Sequence, residues 1–393
     1  MNDHEPVIVG ALRTPVGKRG GRLQKWHPVD LLGETLRQLV ERSGVNPADL
    51  DDVIVGCVLQ WDQQHGNLGR HAVLAAGLPE SVPAVTVDRQ CGSGQQAVSF
   101  AVHGIQAGAY QLVIGAGVES MSQAPMPPSF KPGAPLGSQY SPRELARYQD
   151  NPLLPQGVSS ELMNKRFGLT REALDAFAVR SHRRAIAASQ AGRVQDQLVR
   201  LNEDPADPDS PIITADEGMR ADPNLEKMAT LKPVFSADGA TTAANSSQIS
   251  DGAAALLIAS RAYAKQHGLA PRARFVSTAV AAADPVIQFT AVLDATRKAL
   301  KESGLSLADI DLFEVNEAFG GVPLMFQQEF RIPDDRLNVN GGSVAIGHPL
   351  GSTGARMLTD LLCELERRGG RYGLQTICEA SGTANTTIIE RLA

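Results

Sequence analysis

The sequence predicts an α/β protein with two duplicated halves and a loop domain inserted between them. Residues 43–51, with the pattern Ser-Gly-x-x-x-Ala-Asp-x-Asp, recur as residues 303–311. Each copy follows an amphipathic helix and leads into a short apolar strand, an alternation that is typical of α/β folds. Between the copies lies a stretch rich in proline, polar and acidic residues, which indicates an inserted segment.

The same order of elements is expected in both halves. In the first half the periodicity predicts a helix, two strands, a second helix and a further strand, at residues 31–41, 53–55, 85–87, 95–107 and 112–114. In the second half the matching elements are expected at residues 292–301, 313–315, 337–339, 353–366 and 374–376. Because strands that alternate with helices usually pair in parallel, we expect largely parallel sheets that are covered on both faces.

The domain boundaries follow from this duplication. We expect residues 1–120 together with residues 246–270 to form the N-terminal half, and residues 271–393 to form the C-terminal half. Residues 121–245, which include a predicted helix over residues 170–191, should form the inserted loop domain and act as a lid over a substrate.

Composition and charge exclude several classes of protein. Hydrophobic residues make up 42% and charged residues 20% of the chain, as in an ordinary globular protein. No apolar run approaches the roughly 18 residues that a membrane-spanning helix needs, so we expect no membrane span. The net charge of −6, without a basic cluster, argues against nucleic-acid binding. The N-terminus lacks the basic region of a signal peptide, so we expect a first strand there and a cytoplasmic location.

The four cysteines show no Cys-x-x-Cys pair and no histidine at the spacing of a zinc ligand. This pattern favours free thiols in a reducing compartment and predicts no metal site. Cys91 lies where a predicted strand gives way to a helix that opens with Gly92-Ser93-Gly94. The positive end of a helix dipole stabilises a thiolate and can lower a cysteine pKa to roughly 3.5–7.5. We therefore predict a nucleophile at Cys91, the alternative being a buried, inert cysteine.

Two further residues occupy positions that suit catalysis. His348 stands in the glycine-rich segment 340–351 before a predicted helix, where a base or an oxyanion donor can be fixed in place. Asn316 follows the strand at 313–315, and open α/β sheets place their sites at such strand ends. Asn316 is predicted to orient His348 or to hold a water. The alternatives are a structural histidine and a helix N-cap.

A second thiol, Cys378, stands at the end of the last repeated strand and precedes a turn of small residues. In chemical terms, Cys91 would attack a carbonyl carbon and become acylated, while Cys378 would move a proton to or from the departing carbon or thiol. Such a pair permits both halves of a ping-pong transfer. An enolate beside a thioester needs hydrogen-bond donors, which His348 and a water held by Asn316 can supply.

These motifs resemble those of the thiolase family, and the resemblance covers essentially the whole chain. It is carried by Val87 to Gly94, Gly117 to Ser122, Asn316 to Phe319, Gly341 to Gly354, and Cys378. The resemblance implies a five-layer αβαβα core and a coenzyme-A-dependent acyltransferase, with coenzyme A as co-substrate and no permanently bound cofactor. It also implies that Cys91 carries the acyl group, His348 activates Cys91, and Cys378 is the acid and base. Cys91, His348 and Ala380 are expected to form oxyanion holes, and family members are homodimers or homotetramers.

By the same resemblance, a further set of residues is expected to contact coenzyme A or the acyl chain: Arg220, Ser247, Leu231, Phe235, Ala243 and Phe319. The chain departs from the family in the turn after Cys378, where it has Ala380 and Ser381 in place of glycines. Alanine resists positive φ, so a different turn geometry or acyl size is expected there.

The class within the family follows from two local comparisons. Biosynthetic members carry a His-Met pair in the loop domain, whereas this chain reads Pro155-Gln156-Gly157-Val158, which favours the degradative class. Residues 87–96 and 370–376 resemble most closely the thiolases of bacterial steroid catabolism. The acyl pocket is expected to be shaped by the loop from Met126 to Tyr148.

The sequence therefore predicts a degradative 3-ketoacyl-CoA thiolase, which uses coenzyme A to release acetyl-CoA and an acyl-CoA shortened by two carbons. The alternatives are an acetoacetyl-CoA thiolase and a non-catalytic protein that binds acyl-CoA or lipid. A cysteine peptidase built from Cys91, His348 and Asn316 is remote, because it would need neither a second thiol nor a duplicated layout.

Overall fold

The computed structural model describes residues 3–126 and 139–392. The first half contributes β1 Pro6–Arg13, β2 Gly17–Lys18, α1 Pro28–Ser43, β3 Asp52–Gly56, α2 Leu68–Ala75, β4 Ala84–Val87, α3 Ser93–Gln106 and β5 Leu112–Ser120. The inserted segment contains α4 Pro142–Arg147, α5 Gln156–Phe167, α6 Arg171–Gln190, β6 Leu201–Asn202, β7 Ile212–Ile213 and α7 Leu225–Ala229. The chain then returns through β8 Ser250–Ser260 and α8 Arg261–Gln266.

The second half repeats this order of elements. It contains β9 Ala273–Ala282, α9 Ala291–Ser303, β10 Leu312–Val315, α10 Gly321–Phe330, α11 Ser343–Ile346, α12 Leu350–Arg368, β11 Tyr372–Glu379 and β12 Thr383–Arg391. The helices and strands predicted from periodicity are present, except that one predicted strand is shorter than expected. The strand predicted at 337–339 is only a single bridge, in which Leu337 pairs in parallel with Phe313.

The sheet shows the duplication directly. Strands of the first half are ordered β1-β8-β5-β3-β4, and those of the second half are ordered β9-β12-β11-β10. Strand directions match as well, since β8 and β12 are each antiparallel to both neighbours in their own half. β3 and β10 are likewise parallel to β5 and β11, respectively. The two arms of the sheet are joined where β1 and β9 pair at Val7 and Ile8.

The prediction of largely parallel sheets is wrong. Parallel pairs connect β3 with β4 and β5, and β10 with β11, while the other main pairs are antiparallel. β11 and β12 are separated only by the turn at residues 380–382, and so short a connection joins antiparallel neighbours. β8 enters the sheet after the inserted segment, so a helical crossover does not set its direction.

Three large apolar clusters lie between five layers of helices and strands, and the middle cluster fills both faces of the central helices. Helices α1 and α2 cover the outer face of the first arm around Leu36 and Val53. Helices α3 and α12 lie between the two arms, where Val98 and Leu358 belong to one cluster. Helices α9 and α10 cover the outer face of the second arm around Phe313. The αβαβα order is therefore confirmed.

The two central helices approach closely near their N-termini. A Cβ atom at Gly94 of α3 would lie 2.6 Å from the Gly351 carbonyl oxygen of α12, a distance that no real side chain tolerates. Likewise, a Cβ atom at Gly354 would overlap the backbone of Gln95. Because the two helix starts come from opposite halves, this contact brings the segments that precede them, with Cys91 and His348, to one place.

The inserted segment contacts both halves. Helix α6 packs against α11, and Leu198 forms a bridge with Arg13 of β1. Of the loop expected to shape the acyl pocket, Met126 to Tyr148, residues 127–138 lie outside the described residues. Within the described part of the chain, no helix is both long and apolar enough to cross a bilayer.

Candidate active site

Cys91 follows a tight turn between β4 and α3. The Gln90 N–H donates to Asp88 Oδ1 at 2.6 Å, and the Ser93 hydroxyl donates to the Gln90 carbonyl oxygen at 2.6 Å. These bonds hold Gln90 at a φ of 47°, a left-handed conformation that few non-glycine residues adopt. The turn fixes the backbone that carries Cys91, whose side chain is buried at the start of α3.

Burial is the main influence on the pKa of Cys91, and it raises this pKa. Loss of contact with water, reinforced by the nearby Glu379 carboxyl group, raises the pKa of Cys91 to about 12, although its own N–H lowers this pKa. The expectation of a lowered pKa at the helix start is therefore wrong, because desolvation of the thiolate outweighs the helix dipole. Cys91 is a neutral thiol at rest and needs a base to remove its proton.

His348 is held in the form that such a base requires. Its Nδ1 atom lies 2.7 Å from Thr353 Oγ1, and the Thr353 hydroxyl donates to the Pro349 carbonyl oxygen at 2.8 Å. Thr353 Oγ1 therefore accepts from Nδ1–H, and this network assigns the lone pair to Nε2. Burial and the charge of Arg356 lower the pKa of His348 to about 3. The imidazole is consequently neutral near pH 7.

Asn316 lies beside the free nitrogen of His348. Its Nδ2 atom is 3.4 Å from His348 Nε2, and the Ser343 hydroxyl donates to its Oδ1 atom at 2.6 Å. The bond from Ser343 orients the amide so that its NH₂ group points toward His348. The alternative of a helix N-cap is wrong, because α10 begins at Gly321 with Gly320 as its N-cap.

Cys378 is buried between two residues that contact the Cys91 segment. Ile377 packs in the same apolar cluster as Cys91, and the Glu379 carboxyl group lies against Gly92. Burial, together with the charge of a Cys91 thiolate, raises the pKa of Cys378 well above its ordinary value. The structure thus places both thiols in one buried site, where formation of either thiolate opposes formation of the other.

Comparison with known proteins decides the family. Two family models, for the N-terminal and C-terminal domains of thiolase, match residues 6–262 and 269–391. The chain belongs to the thiolase family. A steroid 3-ketoacyl-CoA thiolase, FadA6, of Mycobacterium tuberculosis is 46% identical over 99% of this chain and 94% of its own length.

Two other relatives extend the comparison. A 3-ketoacyl-CoA thiolase of Bacillus subtilis is 38% identical and covers 98% of this chain and 99% of its own. Among solved structures, the acetyl-CoA acetyltransferase of Bacillus anthracis is 37% identical, with a TM-score of 0.89 and 99% of both chains covered. The thiolase fold predicted from the motifs is therefore confirmed.

Phe319 connects the buried site of this thiolase to the surface. Its ring lies edge-on to that of Phe235, with centroids 5.9 Å apart. The Ser247 N–H donates to the carbonyl oxygen of Ala318 at 3.0 Å, directly before Phe319. Three of the residues predicted to contact coenzyme A or the acyl chain therefore meet beside the Asn316 segment.

The other predicted contacts lie on exposed surface of the thiolase. Leu231 is 41% exposed, and Ala243 and Arg220 are exposed as well. Val234 and Ile249, which the motifs did not identify, are 55% and 41% exposed and add to the apolar surface. Leu231, Val234 and Phe235 lie close together in the chain, and a group of exposed apolar side chains is typical of a binding surface.

In the turn after Cys378, the residues with positive φ come after Ala380. The left-handed conformation falls on Ser381, with a φ of 63°, and on Gly382, with a φ of 78°, but not on Ala380. The Ser381 N–H donates to Gln288 Oε1 at 3.0 Å, which holds the turn. The conformation that a non-glycine residue resists is thus found at Ser381, and the expected difference in turn geometry or acyl size stays a prediction.

Sequence reasoning missed the residues that support the catalytic groups. Thr353 and Ser343 orient His348 and Asn316, and the Gln248 carbonyl oxygen accepts from the backbone N–H of His348 at 3.1 Å. Thr353 was recognisable as a polar residue at the start of the helix after His348. All four cysteines are free, as predicted. No cluster of three or more potential metal ligands occurs in residues 3–126 and 139–392.

Proposed function

We propose that this thiolase is a degradative 3-ketoacyl-CoA thiolase, an acetyl-CoA C-acyltransferase of lipid or steroid breakdown. Coenzyme A acts as a co-substrate, without a permanently bound cofactor, and cleaves a 3-ketoacyl-CoA into acetyl-CoA and a shortened acyl-CoA. The observation that carries this proposal is the neutral His348, with its free Nε2 beside Asn316, in a chain with two buried thiols at one site. Relatives of 46% and 38% identity are named as 3-ketoacyl-CoA thiolases, the first of them a steroid 3-ketoacyl-CoA thiolase.

In the first half-reaction, Cys91 attacks the keto carbonyl carbon of the substrate. His348 Nε2 takes the thiol proton, so that the sulfur bonds to the carbonyl carbon as a thiolate. The bond between C2 and C3 then breaks, which leaves the acyl group on Cys91 and an enolate of acetyl-CoA. Cys378 donates its proton to that enolate, and its raised pKa keeps this proton available.

The second half-reaction returns both protons. The Cys378 thiolate takes the proton of an incoming coenzyme A, whose sulfur attacks the acyl carbon on Cys91. Cys91 leaves as a thiolate and recovers its proton from the imidazolium of His348. Each residue therefore ends the cycle in its starting protonation state, as a ping-pong mechanism requires.

Hydrogen-bond donors are needed wherever negative charge develops on oxygen. We assign the enolate oxygen to His348 and a water held by Asn316, and the second oxyanion to the backbone N–H groups of Cys91 and Ala380. Arg220, Leu231, Phe235, Ala243, Ser247 and Phe319 are assigned to coenzyme A and the acyl chain. The exposed apolar surface around Leu231 and Phe235 supports that assignment.

The direct test compares Cys91→Ser with Cys363→Ser in an assay of acetyl-CoA release from a 3-ketoacyl-CoA. Cys363 is a half-buried thiol whose Sγ atom contacts Arg272 Nη2 at 3.4 Å, so its variant controls for the loss of a cysteine elsewhere. We expect the first variant to fold but to lose thiolysis, and the second to retain it. Turnover by Cys91→Ser would reject the assignment.

Two alternatives are separated by a substrate panel. An acetoacetyl-CoA thiolase would prefer acetoacetyl-CoA, whereas a degradative enzyme should be faster on longer or branched 3-ketoacyl-CoA substrates. The name of the Bacillus anthracis structure favours the former, but the relative of higher identity is named a steroid 3-ketoacyl-CoA thiolase. A non-catalytic acyl-CoA or lipid carrier would bind these substrates without turnover. The two buried thiols argue against this alternative, because a carrier needs neither of them.

We also propose a cytoplasmic homo-oligomer, either a homodimer or a homotetramer. Strand β4 ends the ten-stranded sheet, and its Val85 is 41% exposed. Phe100 on α3 and Leu74 on α2 are 43% and 45% exposed. An open strand edge with exposed apolar side chains is typical of a surface that pairs with another chain. Light scattering should show a dimer or tetramer that Val85→Lys shifts toward the monomer.

A further inference from the structure

Glu379 lies beside the two thiols and takes no part in the cycle described above. It follows Cys378 directly and is completely buried. A Cβ atom at Gly92 would overlap Glu379 Oε1, so only glycine at position 92 leaves room for this carboxyl group next to Cys91. Gly92 of the first half and Glu379 of the second half therefore fit together at the site.

The carboxyl group of Glu379 is only partly satisfied by hydrogen bonds. The Thr383 hydroxyl donates to Oε2 at 2.5 Å, while Oε1 is buried without a hydrogen-bond partner among the described residues. An ionised oxygen in such a place is unfavourable, so burial raises the pKa of Glu379 to about 8 despite the bond from Thr383. The group is therefore neutral at pH 7 and ionises at slightly alkaline pH.

The charges that act on Glu379 come from the turn before Cys91. From the turn before Cys91, Arg89 lowers the pKa of Glu379 and Asp88 raises it. In return, the charge of Glu379 raises the pKa of Cys91 and of Cys378. One carboxyl group thus acts on the nucleophile and on the proton donor together.

We propose that Glu379 is a positioning residue that controls the charge state of both thiols and thereby sets the alkaline limit of acyl transfer. While its carboxyl group is neutral, the proton of Cys91 can pass to His348 beside an uncharged neighbour. Once the carboxyl group ionises, a negative charge beside Gly92 opposes formation of either thiolate. The rate of acyl transfer therefore falls as pH rises, although an isolated thiol would become more reactive. This inference rests on the proposed role of Cys91 as nucleophile.

The test measures alkylation of Cys91 by iodoacetamide, followed by mass spectrometry, between about pH 6 and pH 10. Glu379→Gln is the informative variant, because glutamine keeps the shape and can still accept from Thr383 but carries no charge. We expect the profiles to coincide at neutral pH and to diverge above the titration of Glu379. There the variant should react on the order of tenfold faster, because its Cys91 thiolate forms without a charged carboxylate beside it. Identical profiles would overturn the proposal.

A second variant should move the alkaline decline instead of abolishing it. Thr383→Val removes the hydrogen bond that favours the ionised carboxyl group, so the pKa of Glu379 rises and the alkaline decline in kcat/KM should move to higher pH. A merely structural Glu379 would lower activity equally at every pH in both variants, and this outcome would also overturn the proposal.

Alkylation requires no turnover, so the two hypotheses can fail separately. A Glu379-dependent alkylation profile in a protein without thiolysis would reject the proposed function while leaving the control of the Cys91 thiol by Glu379 intact. If thiolysis requires Cys91 but Glu379→Gln leaves the alkylation profile unchanged, only the present inference would be rejected.

Discussion

The Nδ1 atom of His348 lies 2.7 Å from the Oγ1 atom of Thr353, and this contact determines which nitrogen of the imidazole is free. Because Thr353 Oγ1 donates onward to the Pro349 carbonyl oxygen, it can only accept from the ring, and the lone pair remains on Nε2. The protonation of the proposed base is therefore set by the helix that follows it.

Thr353→Val should disturb this arrangement while it preserves side-chain shape. The Nδ1–H group would lose its acceptor, so we expect kcat/KM to fall on the order of tenfold to hundredfold, less than the roughly hundredfold to ten-thousandfold contribution of a general base itself. Thr359→Val is the matched control, because Thr359 is also buried on α12 and its hydroxyl donates to a backbone carbonyl, that of Ala355, at 3.0 Å. Equal losses in the two variants would indicate a general effect on α12 and contradict the role of Thr353.

The pH profile of kcat/KM should lack an acidic decline near the ordinary histidine pKa of about 6.5. The pKa of His348 is lowered to about 3, so the imidazole stays neutral at every pH above that value and continues to accept a proton. Protonation removes the base only as pH falls through the lowered pKa. Steady-state rates in the range where the protein stays folded test this prediction, and a decline centred near the ordinary value would contradict it.

Cys378→Ala should separate the two proton transfers. The variant keeps Cys91 and His348, so an acyl-CoA should still acylate Cys91, but more slowly, because Cys378 no longer protonates the departing coenzyme A thiolate. In the proposed cycle Cys378 delivers the proton to the acetyl-CoA enolate, so exchange of the methyl protons of acetyl-CoA with deuterated water should be lost. NMR measures that exchange directly, and exchange at the wild-type rate would remove Cys378 from the mechanism.

Gly94→Ala tests the contact that brings the two halves together. The added Cβ would lie 2.6 Å from the Gly351 carbonyl oxygen, so helices α3 and α12 must move apart. We expect a loss of about 1–3 kcal/mol in the free energy of unfolding, typical of overpacking, and a lower kcat.

The control for that variant is Gly44→Ala, at the end of α1. Gly44 has a φ of 68° and open space around its Cα, so alanine there should cost about 1 kcal/mol of stability through backbone strain. Thiolysis should be unaffected. Equal activities of the two variants would show that the close approach of α3 and α12 does not position the site.

The fold and the candidate catalytic groups could be recognised in the sequence because the patterns that mark them are local. The repeated Ser-Gly-x-x-x-Ala-Asp-x-Asp segment indicated the duplication, and Cys91, Asn316 and Cys378 each stand at the end of a predicted strand. His348 was marked by the glycine-rich segment around it. Convergence of the two halves then followed from the duplicated topology.

The direction of strand β8 and the pKa of Cys91 could not be predicted from local patterns. The antiparallel course of β8 depends on how the chain returns from a long insertion, which periodicity does not encode. The pKa of Cys91 depends on burial and on Glu379, a residue far away in sequence that reaches the site only after folding. The position of Cys91 at a helix start predicted a lowered pKa, but burial in the folded protein raises this pKa instead.

Covalent trapping on Cys91 tests the central claim most directly. The protein would be incubated with a 3-ketoacyl-CoA in the absence of free coenzyme A, quenched in acid, and digested for mass spectrometry. We expect the mass of the shortened acyl group on the peptide that contains Cys91, and its loss when coenzyme A is added before the quench. Turnover with an acyl group on another residue, or with no acylated peptide, would contradict the account.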